Sequence, residues 1–593
     1  MIGPRAFSLQ HAAPAAAVKI ACALTFAFTS ACSAPVSERE GGPTATGPDA
    51  RPDILLVITD DQGWGDWEGA GNPDIRTPNM MRLAAQGASL TDFHVSPVCA
   101  PTRASLLSGR HSLETGVWGV TRGGERMRPD VVTLAEGLRA AGYRTGMFGK
   151  WHNGDSPPYD PASQGFDRVF GFLAGHFTDY FDPVLLSDGE AVGTTGFITT
   201  VITDAALAFM AGGDAPRFTY VAYPTPHSPL EVPTEFLDLY ADAELPEVTR
   251  VVYAMTTQLD AEFGRLLDAA PQDAIVIFVG DNGPARPGGV DRFKDGLNGQ
   301  KGSVLFGGTQ VPMIVRWPGV TEPGAVLDPT AQHIDVLPSL LAGLGLTPPA
   351  EVDGRDIRPL LAGGTLPERI HFTHHSNVLL DASTVPVTVD PGAARRGRFS
   401  AVLDPDGNWA LYADRAQVED VKDAHPEVFA ELRDAYLDWF AAQSPRAGRD
   451  LPTVIQGAPV SLPAHNGYPA GGAAWDIEWG WSHEWVNVEG EGTMRWPVRG
   501  DGGSYDVELL YGGAGTAGIN SLEIALPRAE APNARPGPGH RRVVSTGEAI
   551  TRDWARATLP GVRVAEGEGA LMLRLSSPDG SLSFKGLRVV PAR

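Results

Sequence analysis

The sequence predicts an α/β protein: a mostly parallel sheet sandwiched by helices, a small antiparallel C-terminal subdomain, and an appended all-β sandwich. Three observations carry this. Short apolar, β-branched runs alternate with segments of helical spacing as far as about residue 345, the pattern of strands and helices around a parallel sheet. Residues 346–445 then read as short antiparallel strands and one amphipathic helix. Beyond Ser444-Pro445, strand-like runs are separated by glycine-rich turns and no helix is legible, as in a β-sandwich. A chain of 593 residues also exceeds what one hydrophobic core can serve, so several domains are expected.

In chain order, residues 1–32 read as an export signal. Arg5 and Lys19 precede the apolar stretch Ile20 to Phe28, followed by Thr29-Ser30-Ala31-Cys32. The stretch is too short for a membrane-spanning helix. Ser30-Ala31-Cys32 resembles a lipobox, in which Cys32 would be lipidated and anchor the protein to a membrane. Thr29 stands where leucine is usual, so cleavage after Ala31 or Ala34 is the alternative. Either way the protein is expected outside the cytoplasm, in the periplasm or at the outer cell surface. Residues 33–50 have the composition of a flexible tether.

The catalytic α/β domain is expected over 51–345. Its buried strands are Asp53 to Thr59, Tyr143 to Gly149, Arg217 to Tyr223 and Ala274 to Gly280, with helices over Thr133 to Gly142, Thr199 to Met210 and Val251 to Ala269. Ligands of such folds sit at the carboxyl ends of the strands. Polar clusters lie there: Asp60-Asp61, Lys150 and His152, His227, Asp281-Asn282. In 346–445, Ile370 to His374 and Phe399 to Tyr412 read as strands and His425 to Phe440 as a helix. In 451–593 the strands are Tyr505 to Tyr511, Leu522 to Leu526, Leu571 to Leu575 and Phe584 to Val590.

The formal net charge is −24, which argues against a nucleic-acid binder, because phosphate backbones demand basic surfaces. An anionic substrate would need a local positive patch inside a negative field. Cysteine usage is informative: Cys22 and Cys32 lie in the leader and Cys99 stands alone in the body. After processing no internal disulfide can form. A lone body cysteine is either a buried small hydrophobe or a reactive group, and its neighbours decide.

Those neighbours are Cys99-Ala100-Pro101-Thr102-Arg103, continuing to Ser108-Gly109-Arg110. The segment resembles the signature of type I, formylglycine-dependent sulfatases of the alkaline-phosphatase superfold: Cys-x-Pro-x-Arg with a glycine six residues after the arginine. Further blocks agree in order and spacing: Gly149-Lys150-Trp151-His152-Asn153-Gly154, Pro226-His227-Ser228-Pro229, Lys301-Gly302-Ser303, Gly175-His176 and His333 to Pro338. One block departs. Where the family usually has Glu-Gly-Gly-x-Arg-Val-Pro, this chain has Phe306-Gly307-Gly308-Thr309-Gln310-Val311-Pro312, losing an acid and a base together.

The resemblance implies a sulfatase that hydrolyses aryl sulfates or sulfated carbohydrates. Cys99 would be oxidised to formylglycine by a separate formylglycine-generating or anaerobic maturing enzyme. Asp60, Asp61, Asp281 and Asn282 form an all-oxygen set, which suits calcium or magnesium rather than zinc. The resemblance assigns them to calcium, with residue 99 as a further ligand. Asp60 and Asp61 can share one ion only where the strand ends, since successive strand residues face opposite ways. Arg103 and Lys150 would hold the formylglycine, His152 would take a proton from it, and His227 and Lys301 would grip the sulfate and protonate the leaving oxygen. A formylglycine-dependent phosphonate or phosphodiester hydrolase, or a non-catalytic glycan-binding protein, are the alternatives. Residues 451–593 resemble carbohydrate-binding modules. Trp475, Trp479, Trp481, Trp485 and Trp496 are expected either to stack on sugar rings or to fill the core.

Overall fold

The computed structural model describes residues 51–593 apart from 122, 178, 377–386, 445–450, 476–484, 514–521, 526–542, 545–554, 565 and 593. The leader, the tether, Cys32, Trp479 and Trp481 lie outside the described residues. Among those described, no helix is long and apolar enough to cross a membrane.

The protein is mixed α/β with an additional β domain. Its main sheet is centred on parallel strands in the spatial order Ile275–Gly280, Ile54–Thr59, Arg217–Ala222, Arg144–Lys150 and Arg168–Phe172. Antiparallel strands extend both edges, Met313–Arg316 on one side and the hairpin Val184–Ser187 and Glu190–Gly193 on the other. Ile54–Thr59 is buried along its whole length, as its unbroken apolar run requires when helices cover both faces. One face carries Leu56, Met147 and Tyr220 into the core cluster shared with the helix Cys99–Ser108. The other carries Leu55, Val57 and Val221 against the helices Ile198–Met210 and Glu247–Ala269.

The helix predicted at Thr133 forms as Leu134–Ala140. It begins with a capping box in which the Thr133 side chain accepts from the Glu136 N–H and the Glu136 carboxylate accepts from the Thr133 N–H. The small subdomain is a four-stranded antiparallel sheet, with the helix Pro426–Gln443 packed on it through Leu432 and Tyr436. The run Phe399 to Tyr412 divides into Phe399–Leu403 and Trp409–Tyr412. Asp404 caps the turn between them by accepting from the Asp406 and Asn408 N–H groups.

The β domain differs from expectation in two places. Leu571 to Leu575 and Phe584 to Val590 belong to one element, Gly567–Pro591. Pro578-Asp579-Gly580 reads as a turn, yet the pairing steps directly from Gly490↔Ser577 to Val488↔Leu582, so the intervening residues bulge out of register. Second, a one-turn 3-10 helix, Ala464–Asn466, interrupts the strands. Trp496 is fully buried in this domain's core and donates its indole N–H to the Pro463 carbonyl at 2.9 Å. That side chain fills the core rather than a sugar site. Trp475 is partly buried against the same cluster.

Candidate active site

The strand Ile54–Thr59 ends at Asp60, and Asp61 adopts a left-handed φ of 65°. That conformation is uncommon for a residue with a Cβ. Here it lets two consecutive carboxylates turn toward one centre instead of opposite faces. The next strand delivers Asp281 and Asn282 beyond Gly280. Asp281 accepts from the Asp61 N–H at 3.0 Å, and the Asn282 amide donates to Asp61 Oδ1 at 2.8 Å. Gly283 cannot be replaced cheaply, because a Cβ there would lie 2.0 Å from the Gly307 carbonyl oxygen.

Cys99 is the first residue of the helix Cys99–Ser108, whose ten residues are all buried. Its Sγ lies 3.3 Å from Asp60 Oδ1. A helix N-terminus favours negative charge, so an anion brought to residue 99 meets the positive end of the helix. Arg103, one turn on, is fully buried and pairs with Asp281 Oδ2 at 2.8 Å. Lys150, at the end of its strand, reaches Asp60 Oδ2 at 2.5 Å. Lys301 pairs with Asp61 Oδ1 at 2.6 Å, and His227 Nε2 stands 3.9 Å from Asp61 Oδ2.

His152 also has a left-handed φ of 65°. Trp151 turns into the core and His152 into the cavity. His152 Nε2 is 2.8 Å from the Val120 carbonyl, and its buried Nδ1 has no hydrogen-bond partner. Gly175 is packed against that ring so closely that a Cβ would come within 2.1 Å of Nε2.

The electrostatics follow from burial. Burial pushes the Asp60 and Asp61 carboxyls up, but the surrounding cations outweigh it and hold both below the ordinary carboxylate range: Lys150 foremost for Asp60, Lys301 for Asp61. Asp281 goes the other way, pushed up to about 7 by burial and by Asp60. Burial and neighbouring lysines push His152 and His227 down, so both rings are neutral. Burial pushes the Cys99 thiol up, with Asp281 and Asp60 adding to it, so it stays protonated. A bare thiol here is a poor nucleophile.

One ligand atom each from Asp60, Asp61, Cys99 and Asp281 can lie within 4.8 Å of one another, and the Asn282 Oδ1 acceptor is buried without a partner. Three carboxylates, one of them with a raised pKa, and an orphaned carbonyl oxygen suit a hard divalent cation. All ten positions expected from the sequence therefore converge on one centre, which opens into a cavity of about 470 Å³.

Residues 52–346 match the Sulfatase family model. Over 381 residues the chain is 31% identical to N-acetylgalactosamine-6-sulfatase of Sus scrofa, covering 57% of this chain and 71% of that protein. It is 33% identical over 366 residues to arylsulfatase A of Homo sapiens, covering 55% and 71%.

The chain belongs to the sulfatase family.

It is accordingly a sulfuric ester hydrolase. The crystal structure of Ps i-CgsB in complex with k-i-k-neocarrahexaose has a TM-score of 0.61 to this sulfatase at 24% identity, covering 67% of this chain and 94% of that one, a likeness of fold.

The departing block of this sulfatase is explained by packing. Phe306 joins the core, 4.8 Å from the His94 ring and beneath the Arg395 guanidinium. Gln310 donates to the Thr91 carbonyl at 2.6 Å. Two charges have been exchanged for an aromatic contact and a neutral hydrogen bond.

The cavity also has walls that the sequence reading did not single out: Glu125, Asp155, Arg286, Arg292 and His465. Arg292 donates to the Asp61 carbonyl at 2.9 Å and pairs with the buried Asp66 at 2.7 Å. None of these lies in a recognisable motif. Only His176, whose ring is 5.6 Å from that of His227, sits in a block, Gly175-His176, that the sequence flags.

Proposed function

We propose that this sulfatase hydrolyses sulfate esters of carbohydrates, with a formylglycine made from Cys99 as its reactive group and one calcium ion held by Asp60, Asp61, Asp281 and Asn282. The observation that carries the reading is Cys99 at a buried helix N-terminus, in contact with Asp60 and ringed by Arg103, Lys150 and Lys301. Relatives named N-acetylgalactosamine-6-sulfatase, and a neighbour solved in complex with k-i-k-neocarrahexaose, support a carbohydrate sulfate.

Formylglycine, once formed and hydrated, supplies a carbon bearing two hydroxyls, and calcium supplies positive charge for the sulfate. The chain's own residues do the rest. Arg103 and Lys150 fix Asp281 and Asp60 so that both carboxylates face residue 99. Lys301 keeps its charge, since Asp61 raises its pKa well above the ordinary value against the effect of burial, and it binds a sulfate oxygen. His227 is oriented through Nδ1 by the Ser228 carbonyl at 2.8 Å. An incoming anion favours its protonated form, the acid that a leaving oxygen needs. His152 Nδ1, neutral and unpartnered, accepts a proton from the group at residue 99. Three cations against three carboxylates leave the centre near neutral, and a divalent ion makes it positive, as an anionic ester requires inside a protein of net charge −24.

Mass spectrometry of the Cys99 peptide from active enzyme tests this: sulfur should be replaced by oxygen with loss of two hydrogens. Turnover of 4-nitrophenyl sulfate, N-acetylgalactosamine 6-sulfate and glucosamine 2-N,6-O-disulfate should follow the converted fraction and stop on calcium chelation. Full activity with an intact thiol would refute the mechanism, and preference for an aryl phosphate diester would refute the substrate class.

A further inference from the structure

Between the reaction centre and the β domain the cavity has a second polar wall. Glu125 lines it, is only 5% exposed, and neither of its carboxylate oxygens has a hydrogen-bond partner among the described residues. Leaving a buried charged acceptor unmade is costly, so this side chain is satisfied only when something in the cavity donates to it. Arg126, beside it in sequence, is engaged elsewhere. It donates to the Leu451 carbonyl at 2.8 Å and stacks over Tyr159.

The backbone at Glu125 is tied to the reaction centre. The Asn153 amide donates both to the Glu125 carbonyl, at 3.4 Å, and to the carbonyl of Ala100, the neighbour of Cys99, at 3.0 Å. Asp155, two residues further on, also lines the cavity, and the β domain holds it. His465 Nε2 lies 3.3 Å from Asp155 Oδ2, and the Asn466 amide donates to Oδ1 at 2.8 Å. The rest of that seam is fastened by Tyr159 Oη donating to the Pro452 carbonyl at 2.9 Å, the Val454 N–H donating to the Pro157 carbonyl at 3.1 Å, and Ser156 Oγ donating to the Ser461 carbonyl. The 3-10 turn Ala464–Asn466 thus carries a β-domain histidine into the wall of the catalytic cavity.

We propose that Glu125, Asp155 and His465 form the leaving-group subsite of this sulfatase, taking the hydroxyl groups of an uncharged sugar ring through hydrogen bonds donated to the Glu125 carboxylate. The β domain is then a wall of the active site, not a detached docking module. Two acids on this wall repel a second sulfate or a uronic carboxylate at the same position, so the subsite selects sugars that are neutral there. Burial and Asp155 raise the Glu125 pKa, and hydrogen bonds donated from the cavity restore its charged form. The inference rests on the sulfatase reading of the adjoining centre.

The test uses the full chain with Cys99 converted, and measures kcat/KM on 4-nitrophenyl sulfate, whose leaving group has no sugar hydroxyls, and on N-acetylgalactosamine 6-sulfate, galactose 6-sulfate and glucosamine 2-N,6-O-disulfate. In Glu125→Gln the loss on the best monosulfated sugar should exceed the loss on the aryl sulfate by about tenfold, the worth of one charge-assisted hydrogen bond. The preference for monosulfated over disulfated sugar should also narrow. His465→Ala should also lose more on the sugar than on the aryl sulfate but, with Asp155 left without this partner, should widen the preference for monosulfated sugar, with the thermal transition of the β domain unchanged. Equal losses on aryl and sugar sulfates, no change in either ratio, or a wild type that cleaves the aryl sulfate and none of the three sugars would each overturn the subsite. A wild type that cleaves no sulfate ester overturns the sulfatase reading instead, and the subsite with it.

Discussion

The α/β domain and the β domain solve burial in opposite ways. The α/β domain carries Asp60, Asp61, Arg103, Lys150 and Asp281 almost wholly out of water. The β domain, among its described residues, buries no charged side chain. Its core is Trp496, Phe584, Tyr505, Tyr511, Met494 and aliphatic residues. Removing ions from water costs several kcal/mol each, recovered only in part by pairing. Apolar burial stabilises by about 25 cal/mol per Å². One region is therefore organised for chemistry at the expense of stability, and the other for stability. The seam between them, at Asp155 and His465, is where the stable region touches the reactive one.

Four experiments break or sharpen this contrast. The largest effect is expected at the buried charges. Asp281→Asn should lower kcat by at least about 10³-fold, with the protein still folded by circular dichroism. Asp281→Ala should lose turnover equally and also unfold at lower temperature, because Arg103 is left buried without its partner, a loss on the order of 3–5 kcal/mol. A folded Asp281→Asn enzyme with wild-type turnover would remove the carboxylate from the centre.

Next comes the apolar core. Trp496→Ala should destabilise the β domain by about 3–5 kcal/mol, read as an earlier calorimetric transition. Trp475→Ala, at a partly buried position, should cost clearly less. Similar losses at both positions would mean that the core is not centred on Trp496.

The third experiment is acidification. His333 and His374 are buried and His111 is half-buried in the catalytic half, and desolvation in each case pushes the pKa down to about 3. In the unfolded chain they titrate near 6.5. Below that pH the unfolded state binds more protons, so the stability these neutral rings contribute is complete above about 6.5 and is lost as pH falls toward 3. The slope is roughly 1.4 kcal/mol per pH unit for each ring. Among the described residues the β domain has one histidine, His465. The catalytic transition should therefore fall with acid faster than that of the β domain. Parallel shifts from pH 7 to 4 would contradict the assignment.

The smallest effect is expected where the α/β domain has itself adopted the apolar solution. Phe306→Glu and Gln310→Arg should each destabilise, since each buries a charge beside Phe306's neighbours His94 and Arg395 or at Thr91. The double variant should be less destabilised than the sum by about 1 kcal/mol, because the two charges can pair. Strict additivity in urea denaturation would show that the positions do not communicate.

Much of the centre was legible because its residues close regular elements. An apolar run that stops at Asp60, another that stops at Asp281 and a third that stops at Lys150 mark strand ends, and a parallel sheet gathers such ends at one edge. The family blocks supplied Cys99, Arg103, His227 and Lys301. Periodicity could not reveal that Asp61 and His152 turn left-handed, because that conformation is held by their surroundings and not by a glycine. Nor could it show that Pro578-Asp579-Gly580 bulges within one element, since a bulge and a turn use the same residues and only the partner strand distinguishes them.

What the sequence determined by itself is the family, the order of the layers and the residues of the candidate centre, because those are local patterns: strand ends, a helix start, a spaced signature. What only the tertiary structure decided is the wall of the cavity. Glu125 sits in a loop, Asp155 follows a strand end and His465 belongs to another domain. No spacing links them, and their shared surface exists only because a 3-10 turn of the β domain docks on Asp155. Side chains from separate segments meet through packing, which is a property of the folded chain and not of any stretch of it.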